Sequence, residues 1–240
     1  FMLDRDGFFR IPETVAVEAC DMGFNNSVLT DSSPTVLKAI RAADTPLLEA
    51  KDDRVWKGER GSRCVAHRKV GSLQEFVDFD SMVSDISVTQ IPAAQVQRLA
   101  AFDIRILNAD RNEQNLLVVR TVPPAAGAIV KETGDRIDLI PIDHGLALPH
   151  SLDIRWMNWE WASKRYEKQL LAPIDPILRG TIVSLDPDAD ACVLRSELGI
   201  REHCLLNFRI AGRLLKQAIK GGLNFVEIVR LVCRQDTASE

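Results

Sequence analysis

Asp110, Asn115 and Asp143 are the side chains of this sequence whose types and spacing could do chemistry together. Two carboxylates and an amide oxygen are hard oxygen donors, suited to magnesium and to a phosphate-bearing substrate. Their convergence depends on the elements that carry them. Leu116 to Val119 reads as a short apolar strand, and Ile137 to Ile142 as a second whose apolar residues alternate with Asp138 and Pro141. Pro123, Pro124, Gly127, Gly134 and Asp135 punctuate the connection, so the pattern predicts an antiparallel hairpin with Asn115 beside Asp143 at one end. Asp110 sits on the loop that enters the hairpin. Upstream, Pro92 opens an expected helix with Val96, Leu99, Ala100, Ile104 and Leu107 on one face, so a packed helix delivers the chain into that loop. Taken singly, each of the three polar residues is an ordinary turn former. It is their combined order and spacing that points to a phosphate site.

With 240 residues and 46% hydrophobic content, the chain can bury a substantial core in one domain or two packed lobes. A formal net charge of −4 gives no basic field to attract nucleic acid. No apolar run approaches the length of a membrane span, and the first residues lack the pattern of a secretory signal. The five cysteines, Cys20, Cys64, Cys192, Cys204 and Cys233, are far apart and without metal-ligand spacing, which favours free thiols in a reducing, cytoplasmic setting.

Elsewhere the pattern predicts one or two strands between Gly7 and Ala19, and a short helix from Ser33-Pro34 through Ala43. Lys51 to Lys69 is basic, and reads as a solvated loop that could also touch acidic lipid. Val70 to Val77 is strand-like, and the acidic segment from Asp78 to Asp85 marks a lobe boundary. Trp156, Trp159 and Trp161 read as core anchors near a helix start rather than as a ligand-stacking platform. Towards the C-terminus, Leu206, Ile210, Leu214, Leu215, Ala218 and Ile219 form an apolar helical stripe ended by Gly221-Gly222. Asn224 with Glu227 then forms a near capping box for a last helix.

Asp110-Arg111-Asn112-Glu113-Gln114-Asn115 has the Asp-x-x-x-x-Asn spacing of a kinase catalytic loop, and Ile142-Asp143-His144-Gly145 has the form of the metal-binding Asp-x-Gly. With Gly71 to Val77, Asp103 to Arg111, Asn115 to Val118 and Ile142 to Leu146 in that order, nearly the whole chain resembles the phosphatidylinositol 3- and 4-kinase catalytic domain. The likeness is to its type II-like branch, especially the plant-type gamma group, and extends to Leu3-Asp4-Arg5-Asp6-Gly7-Phe8. The resemblance implies that Asp110, with Arg111 beside it, forms the catalytic element, and that Asn115 and Asp143 hold the Mg2+ that bridges the phosphates of ATP. It also implies that Phe76 and Val77 form the hinge whose backbone faces adenine. Asn112 stands where many lipid kinases carry histidine, so that position receives no acid-base role. The glycine-rich loop and the ATP lysine are expected upstream of Phe1, which makes the sequence a fragment expected to be inactive alone.

The expected fold is α+β, a protein-kinase-like two-lobe fold whose small lobe is truncated at its N-terminus. Residues 1–78 would be the remainder of that small lobe, ending at the hinge, and residues 79–240 a mainly helical large lobe with the catalytic loop and metal motif. The expected activity is transfer of the γ-phosphoryl of ATP to a hydroxyl of phosphatidylinositol, with peripheral membrane contact and no nucleic acid partner. Three alternatives remain open: a serine/threonine protein kinase of the same fold, a catalytically silent pseudokinase that docks partners, and an unrelated metal-dependent hydrolase. The last would need further ligands, which the spacing of His67, His144, His150 and His203 does not supply.

Overall fold

The computed structural model describes residues 2–4, 6–21, 36–39, 54–57, 63–121, 136–152 and 157–233. The chain is α+β, and its internal contacts divide it into two compact units. One comprises Phe1–Pro12, Val77–Arg195 and Ile200–Glu240; the other comprises Glu13–Phe76 with Ser196–Gly199.

The smaller unit is an antiparallel sheet of β1 (Thr14–Asp21), β2 (Val36–Ala39), β3 (Arg54–Lys57) and β4 (Arg63–Gln74), in the order β2-β1-β4-β3. The bond from Glu75 N to Glu13 O (2.7 Å) closes the β1–β4 pair just beyond Thr14 and Gln74. Two expectations are corrected here. Val36–Ala39 is a strand where a helix was expected, because pairing with β1 overrides a weak local helix preference. Within the basic stretch, Arg54–Lys57 and the residues from Arg63 onward are paired strands rather than loop. Val55, Trp56, Val65 and Val70, set among the cations, are residues that favour extended structure.

The larger unit is organised by α1 (Ala93–Ile106), which packs against α2 (Glu167–Leu171), α3 (Pro176–Ser184), α5 (Glu202–Lys220), strand β8 (Arg136–Pro141) and the 3-10 turn Glu160–Ala162. The expected apolar face is buried, but so are the polar and charged residues Gln95, Gln97, Arg98, Asp103 and Arg105. A central helix can bury such groups only by pairing them. Accordingly, Gln97 Nε2 donates to the carbonyls of Gln169 and Ala172, both at 3.0 Å. Gln95 Nε2 donates to Asp138 at 2.9 Å, and Arg105 reaches Asp190 at 2.6 Å and the Leu3 carbonyl at 2.9 Å.

The expected hairpin forms from β7 (Leu116–Thr121) and β8, with the short β5 (Ser81–Met82) on the other side of β7. Its punctuating connection, 122–135, lies outside the described residues. Pro141 is accommodated because β8 is an edge strand. The two-residue β6 (Asp110–Arg111) pairs in parallel with β9 (Asn158–Trp159).

Beyond α3 come α4 (Pro187–Leu198), α5 and α6 (Phe225–Val232). The α5 stripe is shifted from the expected one. Leu205, Phe208, Ala211, Gly212, Leu215, Ala218 and Ile219 are buried, whereas Leu206 and Ile210 are 52% and 45% exposed. Two overlapping stripes satisfy the helical period, and packing on α1 and α3 selects the one that contains Gly212. A Cβ at Gly212 would lie 2.9 Å from the Pro187 ring, so only glycine lets α5 approach the start of α4 this closely. The capping box is complete: Asn224 Oδ1 accepts from Glu227 N at 3.0 Å, and Glu227 accepts from Asn224 N at 2.8 Å.

Candidate active site

The end of α1 sets the loop that carries Asp110. Leu107 closes the helix in the left-handed region (φ 51°), an uncommon conformation for a leucine, and Asn108 N returns to the Asp103 carbonyl at 3.1 Å. The chain is thereby turned into β6, where pairing with β9 holds Asp110 opposite Asn158. Asn112 Nδ2 donates to Asp110 Oδ1 at 3.0 Å, while its own oxygen accepts from Gln114 N at 2.9 Å. The position with no acid-base role therefore orients the carboxylate beside it. A single 3-10 turn, Glu113–Asn115, leads into β7, and Asn115 Nδ2 donates to the Asp110 carbonyl at 3.1 Å.

The hairpin register brings the second half of the motif to the first. Leu116 pairs with Pro141, and Ile142 N donates to the Asn115 carbonyl at 3.1 Å, so Asp143 is the next residue along from a direct bond to Asn115. Asp143 is left-handed (φ 50°), and its Oδ1 accepts from Gly145 N at 3.1 Å. A Cβ at Gly145 would come within 3.2 Å of that same oxygen, which explains glycine at this step. The following segment docks on the catalytic loop through Ala109 N to Leu146 O (3.0 Å) and Leu148 N to Ile106 O (2.9 Å). Asp143 itself is exposed, and Asp110 is half-buried.

Beneath these groups lies a buried ion pair. Arg111 and Asp103 have fully buried side chains and meet through Nε and Nη2 at 3.0–3.1 Å. Arg111 Nη1 donates to the carbonyls of Asn115 (3.0 Å) and Ile142 (2.5 Å). Trp161 Nε1 donates to Asp103 at 2.9 Å, and Trp159 Nε1 to the Asn108 carbonyl at 2.5 Å. The two indoles stack at 4.9 Å and are buried, bearing out the anchor reading; Trp156 lies outside the described residues. Burial pushes the Asp103 carboxyl above the usual carboxylate range against the pull of Arg111. His144 packs edge-on against Phe102 at 5.4 Å, and burial, reinforced by the Arg111 cation, lowers its pKa to about 3, so the ring is neutral.

Sequence reasoning missed Asp103, Trp161 and Asn112 as site supports. A signal for Asp103 existed: it falls on the same helix face as Leu99, Ala100 and Leu107, and a carboxylate on an apolar face demands a buried partner. The partner itself was invisible without the fold. Phe76 is 84% exposed and Val77 half-buried, just past the end of β4, and the division between the contact units falls between them. Among the described residues, no three His, Cys, Asp or Glu side chains gather into a metal cage. Asp143 and Asn115 supply two oxygen donors, too few to enclose a cation by themselves. Such a set fits magnesium, which keeps waters and takes further oxygens from substrate phosphates.

A helix-delivered catalytic loop next to an Asp-x-Gly turn, in an α+β chain, defines a kinase-type scaffold. The chain belongs to the phosphatidylinositol 3- and 4-kinase family, whose model matches residues 3–228. It is 32% identical to phosphatidylinositol 4-kinase gamma 6 of Arabidopsis thaliana, over 100% of this chain and 33% of that protein. Identity to phosphatidylinositol 4-kinase gamma 8 of the same plant is 35%, over 100% of this chain and 38% of that protein. With phosphatidylinositol 4-kinase gamma 4 of Oryza sativa subsp. japonica it is 34%, over 72% of this chain and 28% of that protein. The chain thus spans about a third of the length of these curated relatives.

Proposed function

We propose that the protein containing this chain transfers the γ-phosphoryl group of ATP to a hydroxyl of phosphatidylinositol. The observation that carries this reading is the hydrogen bond from Ile142 N to the Asn115 carbonyl, which brings the Asp-x-Gly turn to the end of the catalytic loop. Family membership and the names of the relatives support the lipid acceptor.

In this reading residues 79–240 form the large lobe and residues 1–78 the remainder of the small lobe, save that Phe1–Pro12 groups with the larger unit, and Phe76 and Val77 offer backbone groups to adenine. Asp110 is the catalytic base. Asn112 engages its Oδ1, which leaves Oδ2 to receive the proton of the attacking hydroxyl as that oxygen bonds to phosphorus and ADP departs. Asn115 and Asp143 would hold magnesium, whose contribution when bound is to neutralise the charge on the phosphates.

The acceptor-side segment supports an uncharged inositol ring. Between Gly145 and Gln169, Arg155, Lys164, Arg165 and Lys168 are set against Asp153, Glu160 and Glu167. Arg165 is already engaged by Glu113 and by Glu160, the latter at 3.1 Å. A cation committed to two carboxylates has little to offer a phosphorylated headgroup. The basic stretch from Lys51 to Lys69 is the proposed contact with acidic lipid at a membrane surface; no described helix is long and apolar enough to cross one.

The test is to assay the full-length protein with labelled ATP against phosphatidylinositol vesicles and, separately, against a panel of serine- and threonine-containing proteins. Labelled lipid is the expected product. Protein phosphorylation with no lipid product would replace the acceptor by a protein, and no transfer to either would favour the pseudokinase reading.

A further inference from the structure

We propose that Arg111 and Asp103 form a buried positioning clamp that sets the spacing of the two magnesium-holding residues and ties it to the acceptor-side segment. The inference rests on the magnesium reading of Asn115 and Asp143 and assigns a role to residues that touch neither metal nor substrate. Arg111 has no exposed side-chain surface, so it cannot contact a phosphate or an incoming hydroxyl. Its guanidinium instead spends its donors in two directions. Nε and Nη2 grip Asp103 on α1, while Nη1 bridges the carbonyls of Asn115 and Ile142.

Those two carbonyls belong to the residues that matter for register. One is on the proposed ligand Asn115, and the other immediately precedes the proposed ligand Asp143. A single planar, rigid group therefore fixes the distance between the start of β7 and the end of β8, on the side away from the solvent-facing Asp143 carboxylate. Asp103 fixes the guanidinium in turn, and Trp161 fixes Asp103 with its indole N–H at 2.9 Å. Trp161 and its stacking partner Trp159 lie in the segment paired to Asp110 and Arg111 through β6 and β9. The same clamp thus couples the metal hairpin to the chain that flanks the acceptor.

A purely structural ion pair and a positioning clamp make different demands on position 111. Arg111→Lys keeps the positive charge opposite Asp103, but a single ammonium cannot grip the carboxylate and span both carbonyls in the geometry of a planar fork. If charge neutralisation is all that matters, lysine suffices; if the bridge matters, lysine fails. The experiment uses the full-length protein with Mn2+ as probe, read by the free-ion electron paramagnetic resonance signal at saturating non-hydrolysable ATP analogue, together with thermal melting and lipid kinase kinetics. For Arg111→Lys we expect cooperative melting, Mn2+ affinity weaker by about tenfold or more, and a kcat loss of similar size with KM for the lipid little changed.

Trp161→Phe removes one hydrogen bond to Asp103 and leaves the ion pair, so it should weaken Mn2+ by a few-fold and serves if the lysine variant does not fold. Wild-type Mn2+ affinity and kcat in a folded lysine variant overturn the clamp; so does a wild-type response of Trp161→Phe where lysine fails to fold. Asp143→Asn separates the two readings. If it leaves Mn2+ binding unchanged, the magnesium assignment fails, whatever the clamp variants do.

Discussion

Asp143 combines two demands that no neighbouring residue shares. It must leave the hairpin at a left-handed φ of 50°, which aspartate tolerates better than most side chains, and it must present a carboxylate to solvent. Asp143→Asn keeps the local geometry, because asparagine accepts the same conformation and the same bond from Gly145 N. In the full-length protein it should therefore melt within a few degrees of wild type while losing magnesium-dependent ATP turnover by at least about a hundredfold. Turnover within a few-fold of wild type would remove Asp143 from the metal site. Asp110 differs in kind: its oxygen is oriented by Asn112 rather than by backbone strain.

At the scale of elements, α5 gives the sharpest contrast between pattern and packing. Phe208 is 1% exposed and Leu206 is 52% exposed, two positions apart on one helix. Phe208→Ala should cost about 3–5 kcal/mol in denaturant unfolding, and Leu206→Ala should stay within about 0.5 kcal/mol. Equal losses would restore the stripe expected from periodicity alone. For α6, the reciprocal bonds between Asn224 and Glu227 predict that Asn224→Ala lowers stability by about 1 kcal/mol, measurable in the same titration. A neutral result there would mean that packing of Phe225, Ile228 and Val229 holds the helix start without its cap.

At the scale of the whole molecule, the buried apolar cluster of the larger unit contains Phe9 and Ile11 together with residues from Val83 onward. Glu13 and Glu75 are joined by a 2.7 Å backbone bond, so the two ends of that unit lie next to each other. Replacing Glu13–Phe76 by a short glycine-serine link should therefore leave a cooperatively melting protein that no longer binds ATP, because Phe76, one of the two proposed adenine contacts, goes with the sheet. Calorimetry and nucleotide titration on the same sample check both halves. A non-cooperative product would show that the larger unit needs the sheet to fold.

The sequence by itself determined the hairpin that joins Asn115 to Asp143 and the helix that feeds the loop at Asp110, and it nominated these three residues for the chemistry. Each of these is a local matter: a period of 2 or 3.6, a proline start, a turn residue, or a ligand type at fixed spacing. Even the capping box of α6 was legible, since both partners lie within one turn. Tertiary structure alone decided which of two α5 stripes faces the core, because periodicity does not say where α1, α3 and Pro187 will be. It also decided that Val36–Ala39 is a strand, since a sheet partner supplies hydrogen bonds that local propensity cannot foresee. Above all, it decided what becomes of Arg111. Adjacent to Asp110, the residue reads in the sequence as part of the proposed catalytic element. In the fold it points inward, because Asp103 on α1 and the carbonyls of Asn115 and Ile142 converge beneath the loop, and a buried guanidinium goes where acceptors meet its donors.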